Sequence, residues 1–100
     1  MAKRMKRSRG NVFEDLGFSP EDAENLKVRA TLMASIREMI QRDDLTQERA
    51  AQLFGVTQPR VSDLVRGKIE LFSIDALVNM LAAAGRQVKV SVTRGKHRAA

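Results

Sequence analysis

Gln58, Pro59 and Arg60 stand in a row and carry the most distinctive chemistry of this sequence. A glutamine amide can pair two hydrogen bonds with adenine N6 and N7, and an arginine guanidinium two with guanine O6 and N7. Each such pair is worth about 1–3 kcal/mol of base discrimination. Pro59 has no polar atom, but its ring can touch a thymine methyl. Nearby, Thr46, Gln47, Ser62, Arg66 and Lys68 supply hydroxyl, amide and cationic groups of the kind that hold phosphate oxygens. Asp63 is the discordant member, because phosphate repels it. Three residues from Arg60 on one side and from Arg66 on the other, it can brace either cation on a helix.

The elements that must position these groups are written into QERAAQLFGVTQPRVSDL, residues 47–64. Thr46 is placed to cap a helix from Gln47 to about Phe54. Gly55-Val56-Thr57 then makes a turn in which Gly55 takes a positive φ. Thr57 caps a second helix from Gln58 to about Arg66, with Pro59 in the first turn, where a missing N–H costs nothing. Gly67 stops that helix. By spacing, Ala50, Ala51, Leu53, Phe54, Val56, Val61, Leu64 and Val65 face inward. Gln58, Pro59, Arg60, Ser62, Asp63 and Arg66 are left outside. Two helices joined this tightly, the second with a free face at its N-terminal end, form a unit that a DNA major groove accepts. A plain antiparallel helix pair within a bundle is the alternative.

The surroundings follow the same logic. Ser19-Pro20-Glu21-Asp22 starts a helix running to about Arg42, with Leu26, Ala30, Met33, Ile36 and Ile40 as its apolar stripe and Val28, Leu32 and Met39 widening it. A break near Arg29–Thr31 stays open, so residues 20–42 form one helix or two. Ahead of it, NVFEDLGF, residues 11–18, is too short to fold by itself. Its Val12, Phe13, Leu16 and Phe18 either anchor a partner or cover the domain's own core. Lys68 to Phe72 is a loop with buried apolar contacts, Ser73 caps a helix from Ile74 to Ala84, and Gly85 ends it. Arg86 to Thr93 changes period: Val88, Val90 and Val92 alternate with polar residues, the pattern of a strand with one apolar face. A strand needs a partner. A second copy of the chain, paired across a two-fold axis, is the simplest source, and residues 11–13 of the same chain are the other. The expected organisation is a disordered basic arm at 1–10, a helical domain at 11–85, a dimerisation strand at 86–93 and a basic tail at 94–100.

Composition narrows the function. The net charge is +6, but it is unevenly spread: Lys3, Arg4, Lys6, Arg7 and Arg9 lie in the first nine residues, and Arg94, Lys96 and Arg98 near the end. The part between is close to neutral. Cationic ends around a neutral core suit a polyanion, through phosphate contact and counterion release, or else serve as solubilising tails. There is no Cys, and the one His, His97, lies in the basic tail, so disulfides, thiol chemistry and His- or Cys-based metal sites are not expected. No phosphate loop or nucleophile–His pair suggests an enzyme. The acids at the start of the first long helix are explained by the helix dipole. An RNA-binding surface would favour stacking aromatics, and residues 58–66 contain none. No cofactor is expected. No apolar run follows the basic N-terminus and none could span a membrane, so a cytoplasmic protein is expected.

TQERAAQLFGVTQPRVSDLVRGK resembles the helix-turn-helix of the Cro/λ-repressor-like (XRE) regulators. The resemblance covers about residues 26–84. It implies an all-α bundle of four to five helices, here followed by a strand that pairs across a dimer. It implies too that Gln47 contacts phosphate and Gln58 a base, with Pro59 and Arg60 beside it. More narrowly, NVFEDLGF and FSIDALVNMLAAAGRQVKVSV are similar to the HigA-type antitoxin subgroup. Its members dimerise on palindromic operators, repress their own operon and often bind a RelE-like ribonuclease toxin. That resemblance implies double-stranded DNA, a second copy and a toxin as partners. Many look-alikes are stand-alone or phage regulators with no toxin partner.

Overall fold

The computed structural model describes residues 11–95, and among these it has five α-helices and one 3-10 turn. Residues 1–10 and 96–100, which include the expected N-terminal arm and most of the expected tail, lie outside the described residues. The elements are α1 (Val12–Asp15), α2 (Pro20–Arg42), α3 (Gln47–Phe54), α4 (Gln58–Val65), a 3-10 turn (Ile69–Leu71) and α5 (Ile74–Ala83).

Each helix begins where a side chain can satisfy a free amide. Asn11 Oδ1 accepts from the Phe13 N–H, Ser19 Oγ from Asp22, Thr46 Oγ1 from Arg49, Thr57 Oγ1 from Arg60 and Ser73 Oγ from Ala76. These caps cost the chain one small polar residue each and fix where the rotation of every helix starts. Ser19, Thr46, Thr57 and Ser73 are the caps expected from the sequence, and Asn11 adds one for the short α1.

α2 is one unbroken helix of 23 residues, roughly 35 Å long. Nothing interrupts it at Arg29–Thr31, where the Thr31 hydroxyl donates back to the Lys27 carbonyl. Its C-terminus closes without glycine: Asp44 sits at φ 52, its N–H donates to Gln41 O, and the Leu45 N–H reaches Ile40 O at 2.9 Å. Leu45 and Ile40 then pack together against the core.

α2, α3 and α5 meet around Ile36, Phe54, Leu64, Phe72 and Leu77, all with side chains almost wholly shielded from solvent. With no Trp or Tyr available, two phenylalanines and a set of aliphatic and methionine side chains supply the volume. Burying each of these large groups contributes about 1.5–3 kcal/mol. Two expected inward residues turn out otherwise: Leu53 is 36% exposed and Val65 41%. α3 buries Ala50, Ala51 and Phe54, and at about 100° per residue Leu53 falls on the flank of that arc. Val65 is the last residue of α4, on the flank of the face that buries Val61 and Leu64.

Among the described residues, the C-terminal segment has no strand partner within one copy of the chain. Residues 86–93 form no strand, and neither does any other described residue. The intrachain partner is spent, because Asn11 caps α1 while Val12 and Phe13 form its first turn. A strand is defined by hydrogen bonds to a neighbour, and a single copy of the chain supplies none here. Val88 packs on the core while Val90 and Val92 are 81% and 91% exposed.

Candidate nucleic-acid interface

The helix-turn-helix is built from α3, the Gly55-Val56-Thr57 turn and α4. Gly55 adopts φ 70, and its amide region lets the Val56 N–H donate to Ala51 O at 3.0 Å. A Cβ at Gly55 would meet Ala83 at 3.7 Å, an ordinary contact. Backbone conformation rather than space therefore selects glycine there. Ala50, Ala51 and Phe54 of α3 and Val61 and Leu64 of α4 bury the two inner faces. This apolar lock fixes α4 on the body of the protein and leaves its N-terminal turn at the surface.

Gln58 and Pro59 are exposed there, at the first two positions of α4. Thr46 and Gln47 are exposed at the start of α3, and Arg66 is exposed after the end of α4. Ser62 and Lys68 are half-buried. The structure thus brings the start of α3, the outer face of α4 and the residues after it into one helix-turn-helix unit.

Arg60 has a different setting. Its backbone N–H is taken by the Thr57 cap, while its side chain folds back onto the protein. Nη2 donates to the Leu71 carbonyl at 3.0 Å, and the guanidinium carbon lies 4.5 Å from the centroid of the Phe72 ring. Asp63, expected to brace Arg60 or Arg66, meets Lys68 instead, with Nζ 3.8 Å from its carboxylate. The physical reason is the end of α4. The Lys68 N–H donates to Asp63 O at 3.1 Å, and that closing bond curls Lys68 back over the last turn. A half-exposed pair of this kind is worth at most about 1 kcal/mol, and it offsets the charge of the carboxylate on this face.

Sequence reasoning missed Arg29. Its Nε donates to Asn25 Oδ1 at 2.7 Å, and Nη1 reaches Ile69 O at 3.2 Å and Phe72 O at 3.4 Å. Its place next to the apolar stripe of α2 is the available signal: a half-buried arginine there has to find acceptors. The acceptors lie forty residues or more along the chain, and nothing in local spacing points to them.

The expected anchor at 11–18 neither enters the core nor stands free. α1 lies against α2, and Phe13 meets Phe18 edge-on with ring centroids 6.2 Å apart. Val12, Leu16 and Phe18 remain 57%, 69% and 47% exposed. Among the described residues no group of His, Cys, Asp or Glu is arranged to hold a metal ion, and no helix is long and apolar enough to cross a membrane.

A helix-turn-helix domain family matches residues 12–93. A solved structure described as an XRE-family transcriptional regulator is similar to this chain at 34% sequence identity and a TM-score of 0.68, over 79% of this chain and 90% of that one. No curated protein matches.

Proposed function

Because the chain belongs to the XRE-type helix-turn-helix regulators, we propose that it binds double-stranded DNA sequence-specifically and represses transcription by occupying its operator. The observation that carries this reading is the α3–turn–α4 unit. Its inner face is locked by Phe54, Val61 and Leu64, while Gln58 and Pro59 stand exposed at the N-terminal end of α4. In this reading Gln58 and Pro59 meet base edges in the major groove, with Arg60 next to them. Thr46, Gln47, Ser62, Arg66 and Lys68 hold the phosphates on either side. Selection of duplexes from a random pool by the purified protein, followed by footprinting, tests it. Enrichment of a defined palindrome supports the reading, and a pool that stays random after repeated selection overturns it.

The active species is a dimer joined through residues 86–93. Val90 and Val92 support this, since two nearly bare valines on an alternating segment gain by pairing with the same segment of a second copy. Two copies would then present their α4 helices to half-sites centred about 34 Å apart.

The finer reading is that the regulator is the antitoxin of a toxin–antitoxin pair. NVFEDLGF and FSIDALVNMLAAAG support it by their likeness to the HigA-type subgroup, and the exposed Val12, Leu16 and Phe18 offer an apolar surface for a RelE-like toxin. Purification of the tagged chain from its native host is the test: a copurifying small protein that arrests growth when expressed alone, and no longer does so with this chain, supports it, and the absence of such a partner overturns it. The stand-alone repressor is the second reading. It is favoured by the packing of α1 on α2 and the edge-on contact of Phe13 with Phe18, which give this segment a place within the chain itself.

A further inference from the structure

The turn that follows α4 is gripped from two sides by arginines of different helices. Arg29 of α2 donates through Nη1 to the carbonyls of Ile69 and Phe72, and Arg60 of α4 donates through Nη2 to that of Leu71. Three of the four carbonyls in residues 69–72 are thus taken by guanidinium groups. Packing gives this turn limited support. Phe72 is buried and Ile69 half-buried, but Leu71 is 42% exposed. The turn also holds Lys68: its carbonyl accepts from the Leu71 N–H at 3.0 Å, and its own N–H donates to Asp63 O. Fixing the turn therefore fixes the C-terminal end of α4 and the residue that leaves it.

We propose that Arg29 and Arg60 form a clamp that holds the C-terminal end of α4 and Lys68 in place for a phosphate contact, and that Arg60 acts there as a positioning residue rather than as a reader of bases. This rests on the DNA-binding reading above. Arg29 is the informative half, because it belongs to α2 and is occupied with Asn25, Ile69 and Phe72. A guanidinium carries out this task better than an ammonium. Its planar fork serves Asn25 on one edge and the two carbonyls on another, and in the case of Arg60 its central carbon sits over the Phe72 ring.

The test uses the full chain and two labelled duplexes, one enriched from a random pool by the wild-type protein and one unrelated. Arg29→Ala is expected to bind both about tenfold more weakly, the equivalent of one charge-assisted hydrogen bond. Its base preferences stay as in the wild type. Its plot of log affinity against log salt becomes shallower by about one, as if a phosphate contact had gone. Loss of folded protein lowers apparent affinity but leaves that slope unchanged, which separates positioning from mere stability. Arg60→Ala is expected to show the same uniform weakening, and the double variant less than the sum of the two losses. If Arg29→Ala melts below the assay temperature, Arg29→Lys carries the test, since it keeps the charge and loses the fork. Wild-type affinity and slope in the Arg29 variants overturn the clamp. Relaxed preference at one base pair in Arg60→Ala overturns the positioning role and returns Arg60 to base reading. If the wild type enriches no duplex, the DNA-binding reading itself fails instead.

Discussion

At the residue scale, Gln58 is the side chain whose surroundings best match its expected work. It is exposed at the first position of α4, and no hydrogen bond within the protein holds it among the contacts described. Gln58→Ala is expected to relax preference at one base pair, with a loss of about 1–3 kcal/mol against the preferred base and little change on unrelated DNA. Competition binding with single-base variants of the selected duplex measures this. Asp44 is the opposite case, a residue that fits its place poorly. It holds a left-handed conformation at φ 52 and puts a second carboxylate beside Asp43 at the C-terminus of α2. Asn tolerates that conformation without opposing the helix dipole. Asp44→Asn is expected to raise stability by about 0.5 kcal/mol, read from thermal denaturation.

At the element scale, the turn between α3 and α4 sets the angle at which the reading helix leaves the body. Gly55 at φ 70 is the residue on which that turn depends. An L-residue there costs about 1–2 kcal/mol from backbone strain. Gly55→Ala is expected to lower the urea midpoint accordingly while leaving the helix content by circular dichroism almost unchanged. If the protein keeps its full stability, the turn is not held in this conformation. Phe72 belongs to the same scale. It closes the core beneath the 3-10 turn and serves as the platform for Arg60, so the reading helix and the core share a side chain.

At the scale of the whole molecule, Val90 and Val92 are the unfinished part of the surface. A carboxylate placed between two paired strands opposes a like charge from the second copy and loses its hydration. The double variant Val90→Asp, Val92→Asp is therefore expected to sediment as a monomer that still folds, since neither valine is in the core, and to melt at a temperature independent of protein concentration. It is also expected to bind a half-site duplex as the wild type does and a full palindrome much more weakly. A variant that still sediments as a dimer places the interface elsewhere. The five basic residues within 1–9 belong to the same scale. In the proposed DNA-binding reading, such charge would add affinity without sequence, which salt removes first.

The sequence by itself determined the helices and the reading unit. Caps, apolar period and a glycine at the turn are local signals, decided within a few residues by hydrogen bonding and backbone sterics. Ser19, Thr46, Thr57, Ser73 and Gly55 accordingly stand where local chemistry puts them. It also supplied the exposed candidates Gln58 and Pro59, because α4 has too few apolar residues to bury more than one face. Tertiary structure decided what depends on contact across the chain. It turned Leu53 outward, gave Asp63 to Lys68, and seated Val88 on the core while Val90 and Val92 stayed exposed. Above all it folded Arg60 onto Phe72 and brought Arg29 to the same turn from another helix. A guanidinium goes to whichever unsatisfied carbonyls the packed backbone leaves within reach, and only the assembled chain fixes which those are.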